Sequence, residues 1–169
     1  MKQLLHAIDR INDFLGGKVM HWFTAVLVLV LTFEVTSRHI FNAPTMWANQ
    51  LSMMLTGAII AMGWGFVHLK GEHVRVDIFY TKYSPKTKAV IDIIGYVIIF
   101  FPLFTALTFD AWKSMLYSWK IREVMTETYW FPPVGPSRTV IFIGLALILL
   151  QGVAHFIRDV YRVVRGKTL

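Results

Sequence analysis

Four long apolar runs constrain this chain more than any other feature. The segments at about 19–37, 46–67, 89–112 and 138–160 are poor in charge, and the centre of the first, Trp22 to Phe33, carries none. A bilayer core about 30 Å thick needs roughly 20 helical residues at 1.5 Å each. Lipid offers no partner to a backbone N–H or C=O, so each run is expected as a helix that pairs these groups internally. Four such spans fit into 169 residues with short connections. Composition agrees, with 56% of residues apolar and 16% charged, against about 25% charged in a soluble domain. An ordinary soluble protein is excluded. The expected fold is all-α, an integral membrane four-transmembrane-helix bundle forming a single domain over 1–169.

The connections carry local signals. In 1–17, Leu4, Leu5, Ile8, Ile11, Phe14 and Leu15 recur at helical spacing, while Lys2, Gln3, His6, Asp9, Arg10 and Asp13 take the other face. That pattern predicts an interfacial amphipathic helix, ended by Gly16-Gly17. The same charges interrupt any signal-peptide apolar region, so the first span is expected to be retained. Asn42-Ala43-Pro44 reads as a turn, and Ser84-Pro85 as an N-cap and first-turn proline. Pro102 removes a backbone donor inside the third span and predicts a kink. Pro132, Pro133 and Pro136 make Thr126 to Pro136 an expected ordered loop within the 113–137 connection.

Charge sets the expected orientation. Twelve Lys and Arg fall in the N-terminal segment, the 68–88 loop and the tail, and five in the two remaining connections. Both termini and the 68–88 loop are therefore expected in the cytoplasm, with 113–137 periplasmic. The overall excess of 17 basic over 10 acidic residues then belongs to a membrane surface and its lipids, not to nucleic acid. Zero cysteines exclude disulfides, thiolate metal sites and a cysteine nucleophile within the chain.

Few residues could carry chemistry. Glu34 lies inside a span, where a carboxylate is a functional candidate, yet Arg38 four residues on gives a structural ion pair. Asp92 and Asp110 fall at the ends of span three, within reach of water. His21, His68 and His155 sit toward one end of three spans, open to a b-type haem or to a plain interfacial role; His6 and His39 are worse placed. Gly57, Ala61 and Gly65 form a stripe of small residues, suited to close packing against either another helix of the chain or another subunit. Asn49, Gln50 and Gln151 offer capping or interhelical hydrogen bonds. Gly71-Glu72-His73-Val74-Arg75-Val76-Asp77 alternates apolar and polar residues, and Arg75 and Asp77 are spaced to pair.

That heptapeptide, Arg38-His39-Ile40-Phe41-Asn42, Trp47-Ala48-Asn49-Gln50-Leu51, and Trp130-Phe131-Pro132-Pro133 followed by Gln151 in span four resemble the small membrane subunit of tripartite ATP-independent periplasmic (TRAP) transporters, the DctQ-like family. The resemblance spans nearly the whole chain. Where the family often has an acidic residue after the tryptophan, this chain has Asn49-Gln50. The resemblance implies a passive subunit of a sodium-driven importer of organic acids in the bacterial inner membrane, neither an enzyme nor a cofactor carrier. Its implied partners are a large DctM-like elevator subunit, which would hold the sodium ions, and a periplasmic DctP-like substrate-binding protein. Arg38, Trp47, Asn49, Gln50, Gly57, Ala61, Gly65, His73, Arg75, Asp77 and Gln151 then become candidates for packing or subunit contact. Trp119, Arg122, Glu123, Glu127 and Trp130 become candidates for docking the binding protein. Three rivals stay open: a b-haem membrane anchor of a respiratory complex, a small proton-coupled exporter centred on Glu34, and a bare membrane-stabilising protein with no transport role.

Overall fold

The computed structural model describes residues 2–71, 83–126 and 129–165. Helix α1 (Lys2–Asn12) passes through a π-wound segment (Asp13–Val19) into α2 (Met20–Ile40); α3 is Met46–Lys70. Helix α4 (Pro85–Gly95) leads through a second π-wound segment (Tyr96–Phe100) into α5 (Phe101–Ile121), and α6 is Gly135–Arg165. Four helices, Leu5–Ile40, Met46–Lys70, Thr87–Ile121 and Gly135–Arg165, are long and apolar enough to cross a bilayer. The all-α membrane fold follows from the four runs.

Local signals explain most boundaries. The Ser84 side chain accepts from Thr87 N–H, and Pro85 occupies the first turn, where its missing N–H loses nothing. Helix α2 closes where Phe41 and Ala43 N–H both donate to the Ser37 carbonyl, at 3.2 and 3.1 Å. Helix α6 opens at Gly135, so Pro136, expected inside the loop, instead takes a first-turn position.

One expectation needs correction. Gly16-Gly17 does not end a helix; the chain winds through both as π-helix. The reason is contact: a Cβ at Gly16 would overlap Phe66 Cβ and lie 2.9 Å from Phe66 Cγ. The glycine lets α3 approach. Ahead of Pro102 the helix likewise widens into π winding over Tyr96–Phe100, closed by Phe101 N–H onto the Tyr96 carbonyl. An inserted residue of this kind re-pairs the ladder that proline disrupts.

The helices stand in an open row. Helices α3 and α6 pack most extensively on each other; α2 flanks α3, and α4 with α5 flanks α6. Among the described residues α2 and α5 make no appreciable packing across the row, so no ring closes around a shared core. Most of the buried set accordingly lies on the two central helices, with Ala58, Ala61, Leu145, Leu147, Ile148 and Ala154 among it. Flanking residues such as Trp22, Leu29, Ile98 and Leu103 face outward. In lipid that exposure costs nothing. Helix α1 packs over one end of the α3–α6 pair.

Candidate functional site

The centre of the row is a seam of small residues. A Cβ at Gly144 of α6 would overlap the Ala61 carbonyl oxygen and stand 2.8 Å from Ala61 Cβ. One turn on, Gly65 faces Asn12, whose Cγ is 3.1 Å from where a Cβ would sit, and Leu147. The partner of the stripe at positions 61 and 65 is therefore this same chain. Gly57 differs: no atom lies within 4 Å of its Cβ position.

Polar side chains close one end of the seam. Asn12 Nδ2 donates to Gln151 Oε1 at 2.9 Å and to the Ile8 carbonyl at 3.2 Å. Gln151 Nε2 donates in turn to Asp9 Oδ1 at 3.0 Å, and Asp9 pairs with Arg158. Asn12 and Gln151 are both buried. Where water is absent such groups must bond one another. The amphipathic reading placed Asp9 on the outer, polar face of α1; the structure turns it inward, leaving Ile11 and Phe14 exposed.

At the turn between α2 and α3, Glu34 is buried and fully engaged. Arg38 Nη2 meets its Oε1 at 2.5 Å; Thr45 N–H donates to Oε2 at 3.1 Å, joined by the Thr45 hydroxyl. Phe33 stacks on Trp47 at 5.7 Å. Arg38, Glu34 and Trp47 thus hold one corner together. Asn49 is exposed, and Gln50 is buried with its amide donating to the Met125 sulfur.

Among the described residues, His68 and His155 form no haem seat in this packing. His68 of α3 and His155 of α6 touch edge to face with centroids 5.0 Å apart, leaving no room for a porphyrin between them. Phe100 stacks on His68 at 5.2 Å, and Tyr96 OH lies 3.2 Å from His68 Nε2. Phe100 in turn covers Gly152. His21 bonds the Gly17 carbonyl and His39 the Val35 carbonyl. Among the described residues no group of three His, Cys, Asp or Glu could hold a metal ion.

The connection from α5 to α6 is a pinned loop. Val124 and Pro133 form an antiparallel bridge, with Met125 N–H donating to the Pro132 carbonyl and Val134 N–H to the Glu123 carbonyl, both at 2.9 Å. Arg138 ties the loop to α5: it meets Glu123 at 2.8 Å and Ser114 Oγ at 3.0 Å. Trp119 Nε1 donates to Thr139 at 2.9 Å, and its ring covers Gly135. Arg122, in a left-handed conformation, caps α5 and is exposed, as are Tyr129, Trp130 and Phe131. Glu127, His73, Arg75 and Asp77 lie outside the described residues.

Residues 27–162 match the family of tripartite ATP-independent periplasmic transporters, DctQ component. The chain belongs to that family. Members are transporter components, so this DctQ chain is a multi-pass membrane subunit and not an enzyme. It is 23% identical to the sialic acid TRAP transporter permease protein SiaT of Haemophilus influenzae (strain 86-028NP), over 94% of this chain and 29% of that protein. It is 25% identical to the sialic acid TRAP transporter small permease protein SiaQ of Vibrio cholerae serotype O1, over 52% of this chain and 49% of that one. The DctQ chain thus spans about half the length of one curated relative and under a third of the other.

Several residues that organise this DctQ chain carried a weaker sequence signal. Gly144 and Gly152 stand eight apart in an apolar helix, the spacing of Gly57 and Gly65, and that repeat could have marked α6 as a second helix approached closely, at Gly144 by Ala61 and at Gly152 by Phe100. Asn12, Thr45, Tyr96 and Arg138 are paired over long range, and spacing along the chain does not reveal such partners.

Proposed function

We propose that this DctQ chain is the small, static subunit of a sodium-driven TRAP importer of organic acids. It braces a large DctM-like membrane subunit, which carries substrate and sodium, and its 122–134 loop helps dock a periplasmic DctP-like binding protein. Both termini lie in the cytoplasm and that loop in the periplasm. One observation carries this reading: the four spanning helices stand in an open row. A carrier needs a polar site enclosed between helices near the midplane, commonly at broken helix ends, and a row encloses none. The alignment of nearly the full chain with under a third of a longer permease supports a role as one part of a larger machine.

The carboxylate that an exporter would use is bound by Arg38 and Thr45, which favours a structural role for Glu34. Reconstitution tests the reading. Alone in liposomes the chain should move no solute, and with the other two proteins it should support sodium-dependent uptake of an organic acid. Transport by the lone chain would refute it.

A further inference from the structure

One small residue of the α3 stripe is uncovered. Ala61 and Gly65 are filled by α6 and Asn12, whereas Gly57 borders a groove of about 270 Å³ whose lining includes Gln50, Met53, Met125, Ser137 and Ile141. The groove is largely apolar apart from two polar residues, and Gln50 is the more buried of them. It is only 2% exposed, its Nε2 donates to the Met125 sulfur, and its Oε1 has no partner. A thioether only accepts hydrogen bonds, so the amide cannot be turned the other way round. Ser137 Oγ, at the same groove, is also buried and unpartnered. An unsatisfied buried amide oxygen costs about 1–3 kcal/mol, and its presence in a native chain asks for a donor from another molecule.

We propose that a transmembrane helix of the large permease subunit docks over Gly57 and donates a side-chain hydrogen bond to Gln50 Oε1. This rests on the scaffold reading above. The chemistry of the groove selects that occupant. An organic anion would bring its charge to a largely apolar groove lined by no cation. A lipid tail fills apolar space but brings no donor. A helix supplies both an apolar stem and a donor, and the missing side chain at position 57 admits its backbone closely. The same stripe already makes such a contact with α6 one turn further along, at Ala61. Unbranched Met53 and Met125 can repack around an incoming side chain.

A photo-crosslinking amino acid at Met53, a half-exposed groove residue, tests the contact in native membranes that hold the whole permease. Crosslinking to the large subunit is expected. Gly57→Trp should lower recovery of that subunit about tenfold while leaving the melting temperature of the isolated chain unchanged, since its Cβ meets nothing in this fold. Gln50→Leu should lower recovery severalfold. Crosslinks only to a second copy of this chain or only to lipid would overturn the proposal, as would full recovery with Gly57→Trp. If that variant fails to fold, the Met53 crosslink decides alone. Should the unmodified chain bring down no large subunit, the scaffold reading falls as well; recovery without a groove crosslink refutes only the docking site.

Discussion

Gly144 lies against the Ala61 turn of α3 with its Cα hydrogen where any other residue has a Cβ. That Cβ would stand 2.6 Å from the Ala61 carbonyl carbon and 2.8 Å from Ala61 Cβ. Backbone at such range cannot yield as a flexible side chain does, so the two central helices must separate to admit a larger residue. We expect Gly144→Val to destabilise the isolated chain by about 2–3 kcal/mol, read as a lower melting temperature in detergent. Gly57→Val on the same stripe meets no atom within 4 Å and should leave that temperature nearly unchanged. Equal effects from the two would mean that the seam is not the centre of the fold.

What the sequence reveals follows the range of each interaction. The Ser84 cap and the Glu34–Arg38 pair are contacts within four residues, governed by local helix geometry, and both are legible from spacing. The four spans are legible because bilayer thickness sets their length. The stripe at 57, 61 and 65 is legible as a stripe, but its partner is not, since one face of small residues fits any helix. Only the fold assigns 61 and 65 to α6 and α1. The Gly16-Gly17 pair misleads for the same reason: glycine can mean a break or a close approach, and the distant Phe66 decides. The order of helices in the row, which separates a brace from a carrier, depends entirely on contacts between distant segments.

Asn12 and Gln151 offer a second test, because 139 positions of chain separate two side chains that bond in a buried site. Gln151→Leu removes the acceptor for Asn12 and a donor to Asp9 at once. A loss of about 1–3 kcal/mol is expected, felt mainly where α1 packs on α6. Tryptic cleavage at Arg10 should accelerate accordingly, since cutting needs local release of α1. Asn12→Leu combined with Gln151→Leu should cost less than the sum of the single changes, because the double variant leaves fewer stranded polar groups. Strict additivity would count against a shared network.

Glu34→Gln separates structure from proton transport. The neutral amide weakens the contact with Arg38 and presents a donor to the Thr45 N–H, so a stability loss of about 1–2 kcal/mol is expected. Uptake normalised to the amount of assembled permease should stay near the parent value. A collapse of uptake in fully assembled complexes would instead place Glu34 on an ion path.

The loop between α5 and α6 can be tested through Arg138, which touches no exposed surface candidate directly but anchors the whole turn. Its guanidinium joins Glu123 to Ser114, and Glu123 carries both backbone bonds that align Val134 and α5's end. Arg138→Met keeps the apolar stem and removes these bonds, so the Val124–Pro133 pairing close to Trp130 in the chain is expected to loosen. If the loop receives the binding protein, Trp130→Ala should raise the dissociation constant about tenfold, as truncating an aromatic anchor does, and Arg138→Met should raise it severalfold through disorder alone. Trp130→Ala should not reduce recovery of the large subunit, because Trp130 does not line the groove over Gly57, whereas Met125 of the same loop does. Binding measured on the assembled permease in nanodiscs provides the check: unchanged affinity in both variants would move the docking surface elsewhere, and lost recovery of the large subunit would make the loop part of the membrane interface instead.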